Sequence, residues 1–414
     1  MYKLILILLF TPSVTFGLTV AEVFPWALVL SLLFIRKYSI YFLVLFFIFS
    51  FSALITTYSI SIYEPTLETD AIRSLGAYLN ILFVTQLLLQ FKDRVFAIIL
   101  ISRILFIFLV ILGLAQYYHL PGLHEFVSAL VPRGTGFALN ESGRGVTLLA
   151  SEPARAGVEL VLIYLMYRLT IGNGLRINYL IDFFLLCFIL LIIKSASAFI
   201  FYLGVLCILY FNIDFLRRHI LLFSVLPILI IVSVFYIVKF DTGRASILLL
   251  DIYTLNDLSS IMYFIANESS NRVIALYSFF VSGFTHPFGY GVGSWPFSSI
   301  LAFNETGLDH TDFRFFDVHG GGNIVPFRGP GVISNLLLDV GFFGFILISF
   351  VFIRWLKSNG SFSSTSKHAL LIFIFKIFLF GSPGNPIVFI FLLSVFIYHS
   401  RIIQIRSYIS YGKK

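Results

Sequence analysis

A short segment near the middle of the chain combines arginine, glutamate and proline. Over residues 143–157 it contains Arg144, Glu152 and Arg155, with Pro153 directly after Glu152. Pro153 suits the first turn of a helix, and Glu152 could cap that helix. A helix amino end attracts anions, and an arginine binds phosphate through two hydrogen bonds. The spacing therefore indicates either a pyrophosphate clamp, with Glu152 orienting an arginine or binding a sugar hydroxyl, or a capped helix with an interfacial ion pair.

A second candidate segment begins at Arg272 and leads into a glycine-rich stretch. Glycine occupies every other position over 289–293, and Tyr290 and Trp295 lie within or just after this stretch. Such glycines allow the backbone to approach a ligand closely, and aromatic faces stack on sugar rings. The pattern indicates a substrate-binding loop. Three alternating glycines are a weak signal, so an ordinary turn packed at a membrane surface is the alternative interpretation of this segment.

A third candidate segment, over residues 309–323, holds His310 and His319 among three aspartates. The spacing matches no known pattern of metal ligands, so we predict no metal site. His319 precedes a run of glycines and would be neutral near pH 7, which suits a general base for a sugar hydroxyl. Arg314 in the same segment is a further predicted substrate-binding residue. For His310 a solvated, charged loop is an equal alternative.

The elements that position these segments must lie in lipid, because the chain has too little polar surface for a soluble globule. Hydrophobic residues make up 59% of the 414 residues and charged residues 12%, and the mean hydropathy is +0.98. We therefore predict an all-α, polytopic membrane helix bundle that forms one transmembrane domain over 1–414. About twelve spans are predicted, at residues 4–20, 23–35, 38–60, 75–91, 95–118, 154–170, 178–194, 197–213, 219–239, 331–353, 369–381 and 386–400.

Basic residues at alternate junctions between the predicted spans account for the net charge of +8. The positive-inside rule assigns these junctions, and both termini, to the cytoplasm. The opposite side then receives the loops over 119–153 and 241–330, and Asp251–Val273 in the longer loop shows helical spacing. We predict a partly helical cap there and no nucleic-acid partner. Cys187 and Cys207 lie in apolar runs, so neither a disulfide framework nor a thiolate cluster is predicted.

Three blocks of this sequence resemble the O-antigen polymerase and ligase superfamily of bacterial cell-surface glycan enzymes. They occur in the family's order over about half of the chain, with a long loop before the late spans. The blocks are Arg144 to Gly157, Arg272 with the stretch 287–293, and Ser334-Asn335 leading into 338–344.

The resemblance implies a metal-independent, inverting glycosyltransferase in the bacterial inner membrane, without a cofactor. Its donor would be an undecaprenyl-diphosphate-linked oligosaccharide, used on the periplasmic side, so that both large loops are periplasmic. Arg144 and Arg272 would bind the diphosphate, and Glu152 would organise the acceptor site. A chain-length regulator and a repeat-unit flippase are the implied protein partners. The sequence contains no P-loop and no Asp-x-Asp motif, which also favours a lipid-linked donor.

Together these patterns predict a polymerase of lipid-linked O-antigen or related surface-polysaccharide units, with His319 and Glu152 as catalytic residues. Arg144, Arg155, Arg272, Arg314, Tyr290 and Trp295 are the predicted substrate-binding residues. A ligase that transfers glycan to lipid A core is the first alternative. Family members often carry a histidine where this chain has Pro330 and Gly331, which favours the polymerase. A flippase of lipid-linked oligosaccharides is the second alternative, and it should carry charge along an intramembrane path.

Overall fold

The computed structural model describes residues 2–15, 25–61, 68–131, 145–171, 176–210, 271–360, 363–380 and 384–411. All regular structure in these ranges is helical, which confirms the all-α prediction. The α-helices are α1 (Tyr2–Phe10), α2 (Pro25–Phe34), α3 (Ile40–Ser61), α4 (Glu68–Gln90), α5 (Val95–Tyr117), α6 (Leu123–Leu130), α7 (Pro153–Ile171), α8 (Arg176–Phe188), α9 (Ala196–Tyr210), α10 (Asn271–Thr285), α11 (Trp295–Asn304), α12 (Arg314–Gly320), α13 (Val332–Asn359), α14 (Ser364–Leu379) and α15 (Ile387–Tyr411).

Four helical segments in the described ranges are long and apolar enough to cross a membrane. They are Ile40–Tyr58, Ala71–Gln90, Lys92–Tyr117 and Val332–Asn359. Shorter apolar helices cover Ile177–Ile193, Ala196–Tyr210, Arg272–Thr285 and Ile387–Ile403. A hydrocarbon core about 30 Å thick needs about 20 apolar helical residues. The helices therefore support a multi-pass membrane protein, as the composition predicts.

Several predicted spans differ in extent from the helices. The helix predicted over 4–20 ends at Phe10, where Pro12 follows and disfavours a helical conformation of the residue before it. The last span was predicted over 386–400, but α15 contains 25 residues and is about 37 Å long at 1.5 Å per residue. Its apolar part, Ile387–Ile403, is one of the shorter apolar helices. The span predicted over 219–239 lies outside the described residues, as does Asp251–Val273 up to residue 270.

Contacts within the chain divide it into two compact units. The first comprises Met1–Pro12, Ala21–Ile98 and Tyr263–Lys414, and the second comprises Ser13–Val20 and Ile99–Met262. Helices α1–α4 and α10–α15 belong to the first unit, and α6–α9 belong to the second. Helix α5 begins in the first unit and continues in the second. The prediction of one transmembrane domain concerns how the whole chain is embedded, and it stays a prediction.

Helix α4 is the most buried of the four long apolar helices and packs against α2, α3 and α15. It is also polar for a membrane helix, since Tyr78, Asn80 and Gln86 are all buried. The ring of Tyr78 stacks on Phe49 at 4.7 Å between centroids, and the Gln86 side-chain amide donates to the Lys37 carbonyl at 2.8 Å. These polar groups face protein and not lipid, where an unpaired donor would be costly.

The end of the first unit that carries α10, α11 and α12 has its own aromatic core. The Phe303 ring lies 5.0 Å from Phe316 and 6.3 Å from Phe327, and Phe279 stacks on Phe327 at 5.6 Å. Ile274 of α10 and Leu338 of α13 also belong to this core. Helices α10 and α11 thus pack against α13, and α12 packs against α11 through the rings of Phe316 and Phe303.

In the second unit, α7 packs against α9 and against a π-helical turn, Ile189–Ile193. The turn ends at Lys194, which has left-handed backbone angles with φ of 52°. The Val146 amide donates to the Ile192 carbonyl at 3.2 Å. The segment that leads into α7 is therefore fixed against the end of the π turn.

Candidate functional site

The predicted site residues are distributed over both units. Glu152 and Arg155 lie at the start of α7 in the second unit, whereas the first unit holds five others. Arg144 lies outside the described residues. The five in the first unit are Arg272, Tyr290, Trp295, Arg314 and His319.

Residues 286–294 form a turn, here called the docked turn, which packs into a break in α13. The break is at Gly341, whose φ of 66° and ψ of −175° are not helical. A broken helix frees backbone groups, and the docked turn pairs with them. The Tyr290 amide donates to the Leu338 carbonyl at 3.0 Å, and Phe343 donates its amide to the Pro287 carbonyl at 3.0 Å.

Two glycines make this close packing possible. Gly289 and Gly341 both have positive φ, and a Cβ atom on Gly341 would lie 2.4 Å from the Gly289 nitrogen. A Cβ atom on Gly289 would lie 2.5 Å from the Gly341 nitrogen. No side chain fits between two backbones this close. The glycine-rich stretch therefore serves first as a packing element between α10 and α13.

Four side chains converge beside the docked turn, and we call them the Glu305 cluster: Thr285, His286, Tyr290 and Glu305. The His286 Nε2 atom lies 2.6 Å from Glu305 Oε1, and the Tyr290 hydroxyl donates to the same oxygen at 2.8 Å. The Thr285 hydroxyl donates to Oε2 at 2.9 Å. The side chain of Glu305 is 27% exposed and that of His286 is 45% exposed. A carboxylate and an imidazole that are oriented yet accessible can transfer a proton to or from a bound ligand.

Hydrogen bonding determines the charge state of this cluster. Partial burial raises the pKa of Glu305, but the hydrogen bonds from Tyr290, Thr285 and His286 together lower it more, so the net pKa lies below the usual 4.5. Burial raises the pKa of Tyr290 most, and a hydrogen bond with Ser282 opposes this rise. The hydrogen bond to Glu305 and its negative charge raise the pKa further, so that it lies at about 12. At neutral pH, Glu305 is thus an anion and Tyr290 a neutral donor.

The Glu305 cluster adjoins a surface suited to lipid. On α13, Phe343, Ile346, Leu347, Phe350 and Ile353 are all exposed and recur at helical spacing, so they form one apolar stripe. Phe288, which is 79% exposed, packs on Phe343 with 5.7 Å between ring centroids. Phe288 therefore joins the stripe to the docked turn, two positions along the chain from His286.

The aromatic residues predicted to stack on sugars are already engaged. The guanidinium carbon of Arg328 lies 4.3 Å from the centre of the Trp295 ring, so a cation covers one face of that ring. The Tyr290 ring lies 4.7 Å from His286, and its hydroxyl binds Glu305. The structure thus gives Tyr290 a role in the Glu305 cluster, while stacking on a sugar stays a prediction.

His319 lies outside the Glu305 cluster. It occupies the last turn of α12, is exposed, and packs its ring on Phe315 at 5.0 Å between centroids. Arg314 is exposed at the start of the same helix, and Arg272 is exposed near the start of α10. These three side chains are accessible to a ligand, and their predicted roles stay predictions.

In the second unit, a buried segment precedes the start of α7. The side chain of Gln116 binds both backbone groups of Leu148, accepting from its amide at 2.8 Å and donating to its carbonyl at 2.9 Å. Arg155 pairs with Glu152 at 3.4 Å, one helical turn away. The ion pair of the second alternative is therefore present, Arg155 remains partly exposed, and binding of a pyrophosphate stays a prediction.

The second unit also buries an ion pair that the sequence analysis did not single out. The Arg168 guanidinium lies 3.3 Å from Asp182, and Asp182 also accepts hydrogen bonds from Tyr164 at 2.5 Å, Tyr202 at 3.1 Å and Tyr210. These residues come from α7, α8 and α9. Asp182 and Arg168 are thus charged side chains that are buried among helices.

The Asp182 network had a partial signal in the sequence, whereas the Glu305 cluster had none. A lone acid inside an apolar stretch, such as Asp182 or Asp339, is costly in lipid and indicates a partner, though not which one. Glu305 had no such signal, because an isolated glutamate in a polar loop is usually solvated. Within the described ranges, no three His, Cys, Asp or Glu side chains converge as a set of metal ligands.

Comparison of the chain with protein-family models, with curated proteins and with solved structures gives no match. The functional proposal therefore depends on the chemistry of the described residues and on the motif resemblance.

Proposed function

We propose that this chain is a membrane-embedded glycosyltransferase that polymerises lipid-linked repeat units of O-antigen or a related surface polysaccharide. The observation that carries the proposal is the Glu305 cluster, an accessible carboxylate within 2.6 Å of an imidazole. Such a pair can remove the proton from a sugar hydroxyl as it attacks. We favour Glu305 over His319 as the base because three neighbouring side chains orient its carboxylate and leave it partly exposed.

The reaction needs no redox partner. The acceptor hydroxyl gives its proton to Glu305, its oxygen forms a bond to the anomeric carbon of the donor, and the bond from that carbon to the diphosphate breaks. The leaving group is a polyprenyl diphosphate, whose new negative charge arginine can stabilise. The resemblance assigns diphosphate binding to Arg144 and Arg272 and acceptor binding to Glu152. Arg155 and Arg314 are further proposed contacts to the substrate.

The apolar stripe on α13 supports a lipid-linked donor over a soluble one. An amphipathic substrate could keep its chain beside the stripe while its head group reaches the Glu305 cluster, without leaving the bilayer. In this proposal about twelve spans cross a bacterial inner membrane, both termini are cytoplasmic, and the loops over 119–153 and 241–330 face the periplasm.

Reporter fusions test this orientation. We expect periplasmic signals from fusions after Asp70, Pro132 and Glu305, and cytoplasmic signals from fusions after Lys92, Arg218 and Lys367, because basic residues are retained in the cytoplasm. Each site is fused separately to alkaline phosphatase, which is active in the periplasm, and to green fluorescent protein, which is fluorescent in the cytoplasm. One of the two fusions should therefore give a signal at every site. A cytoplasmic signal at Glu305 would overturn the proposed site of reaction.

Deleting the gene tests the polymerase activity. We expect surface lipid that carries a single repeat unit to remain while the longer ladder disappears, since a separate ligase would act downstream. The measurement is the ladder on a gel of extracted glycolipid, with the gene restored on a plasmid as the control. Loss of all glycan from the lipid core, with accumulation of long lipid-linked chains, would show that this chain is the ligase and not the polymerase.

A transporter of lipid-linked oligosaccharide is the second candidate function, and one observation favours it. Asp339 lies buried two residues before the break in α13, and broken helices with buried charges occur at the binding sites of transporters. An unchanged ladder in the deletion strain, with repeat units trapped on the cytoplasmic side before complementation, would favour this function. The accessible Glu305 cluster is the reason that we rank it second.

A further inference from the structure

A buried carboxylate joins α4 to the docked turn. Asp339 is only 5% exposed, and its Oδ2 atom accepts a hydrogen bond from the Tyr78 hydroxyl at 2.7 Å. The Gly293 amide approaches Oδ1 at 3.4 Å, and Arg328 lies within electrostatic range of the same carboxylate. A buried acid is retained only where such donors compensate its lost hydration. Asp339 thus needs partners both on α4 and in the docked turn.

The backbone of Asp339 binds the same turn. Its carbonyl accepts from the Gly291 amide at 2.8 Å, next to the Tyr290 bond to Leu338. The side chain and the backbone of one residue therefore bind two alternate positions of the docked turn, and this double attachment leaves the turn little freedom to rotate.

The docked turn carries half of the Glu305 cluster. His286 begins the turn and Tyr290 lies at its centre, and both reach Glu305 Oε1, at 2.6 Å and 2.8 Å. Any rotation of the turn would move both donors away from the carboxylate together. The geometry of the cluster thus depends on the contacts that hold the turn against α13.

We propose that Tyr78 and Asp339 are positioning residues, which act through the docked turn to hold His286 and Tyr290 against Glu305. This inference rests on the proposed function for its link to the reaction, although the structural coupling can be measured without any substrate. Neither residue touches the reacting atoms. Tyr78 acts from α4, more than two hundred positions earlier in the chain, by holding the orientation of the Asp339 carboxylate.

Hydrogen–deuterium exchange on the full chain in detergent tests the structural coupling. The variant is Tyr78→Phe, which keeps the ring stacked on Phe49 and removes only the hydroxyl. Peptides that cover 286–294 should exchange about tenfold faster, as expected for loss of one supporting hydrogen bond. The matched control is Tyr277→Phe, on exposed Tyr277 of α10 in the same unit, and it should leave exchange unchanged. Wild-type exchange in Tyr78→Phe would overturn the proposal.

A double-variant cycle then tests the link to the reaction. If Tyr78 acts through the cluster, the double variant Tyr78→Phe with Glu305→Gln should have the same kcat for glycan extension as Glu305→Gln alone. The reason is that the base that Tyr78 helps to position is already lost. Fully additive losses would overturn the positioning role, since a general structural defect is additive. If Glu305→Gln alone leaves extension unchanged, the proposed role of Glu305 as the base fails, whereas the exchange result still decides whether Tyr78 holds the docked turn.

Discussion

Replacing Glu305 by glutamine is expected to lower the rate of glycan extension by about 10²- to 10⁴-fold, the contribution of a positioned general base. Glutamine keeps the size of the side chain, and its one oxygen can accept from either Tyr290 or Thr285, which bind different oxygens of Glu305, but it cannot take a proton. The measurement is the incorporation of labelled, lipid-linked repeat units into longer chains by membranes that contain equal amounts of each variant.

Two further variants identify the base. Asp309→Asn removes the same charge from an exposed acid in the loop after Glu305 and should leave the rate near that of the wild type. His319→Ala tests the base predicted from the sequence. A large loss in His319→Ala with little loss in Glu305→Gln would assign the base to His319 and not to the cluster.

The pH dependence of the same assay gives a second readout for Glu305. Its pKa is lowered in the folded protein, so the anionic base is present at neutral pH and is lost only as the pH falls through that lowered value. Tyr290→Phe removes one donor and should raise this pKa. The acidic side of the rate profile should therefore move to higher pH in Tyr290→Phe. An unchanged profile would show that protonation of Glu305 does not control the rate.

Replacing Asp182 by alanine is expected to reduce the free energy of unfolding by about 3 to 5 kcal/mol, as when one member of a buried ion pair is removed. Both Arg168 and Asp182 are buried, so water cannot replace the lost carboxylate around the guanidinium. The hydroxyls of Tyr164 and Tyr210 also lose this acceptor, whereas that of Tyr202 keeps the backbone carbonyl of residue 182, at 3.2 Å in the wild type. The measurement is chemical unfolding in a mild detergent, followed by tryptophan fluorescence.

An exposed ion pair provides the control for this prediction. Arg401 lies 2.9 Å from Asp93 with both side chains largely exposed, so Asp93→Ala should cost about 0 to 1 kcal/mol. Replacing the buried pair together by Arg168→Met and Asp182→Leu should recover much of the loss, since apolar residues often substitute well for a buried pair. Equal small losses in Asp182→Ala and Asp93→Ala would contradict the account of the network.

The membrane character of the chain could be predicted from composition alone, because transfer of apolar side chains into lipid depends on residue type and run length. The long helices α3, α5 and α13 follow the predicted spans within a few residues on most sides. Helix ends were less predictable. They depend on local features such as Pro12 after α1, and α15 continues beyond its apolar part.

The site was predictable only in part. The sequence pointed to the glycine-rich stretch and to Tyr290, but it assigned them to ligand binding, whereas the structure uses the glycines to dock a turn into α13. Gly341 breaks that helix only because the docked turn, about fifty positions earlier in the chain, supplies partners for the freed backbone groups. The sequence pattern of a single helix cannot show which distant segment will bind its free backbone groups.

The sequence by itself determined that the chain forms apolar helices of the kind found in multi-pass membrane proteins, and which polar segments are available for chemistry. Only the tertiary structure decided which of those side chains meet. Glu305 becomes an oriented anion because Tyr290 and His286, 15 and 19 positions earlier, converge on one of its oxygens. Hydrogen bonds of this kind are short-ranged and directional, so they depend on the packing of distant helices, and residue type and spacing do not specify that packing.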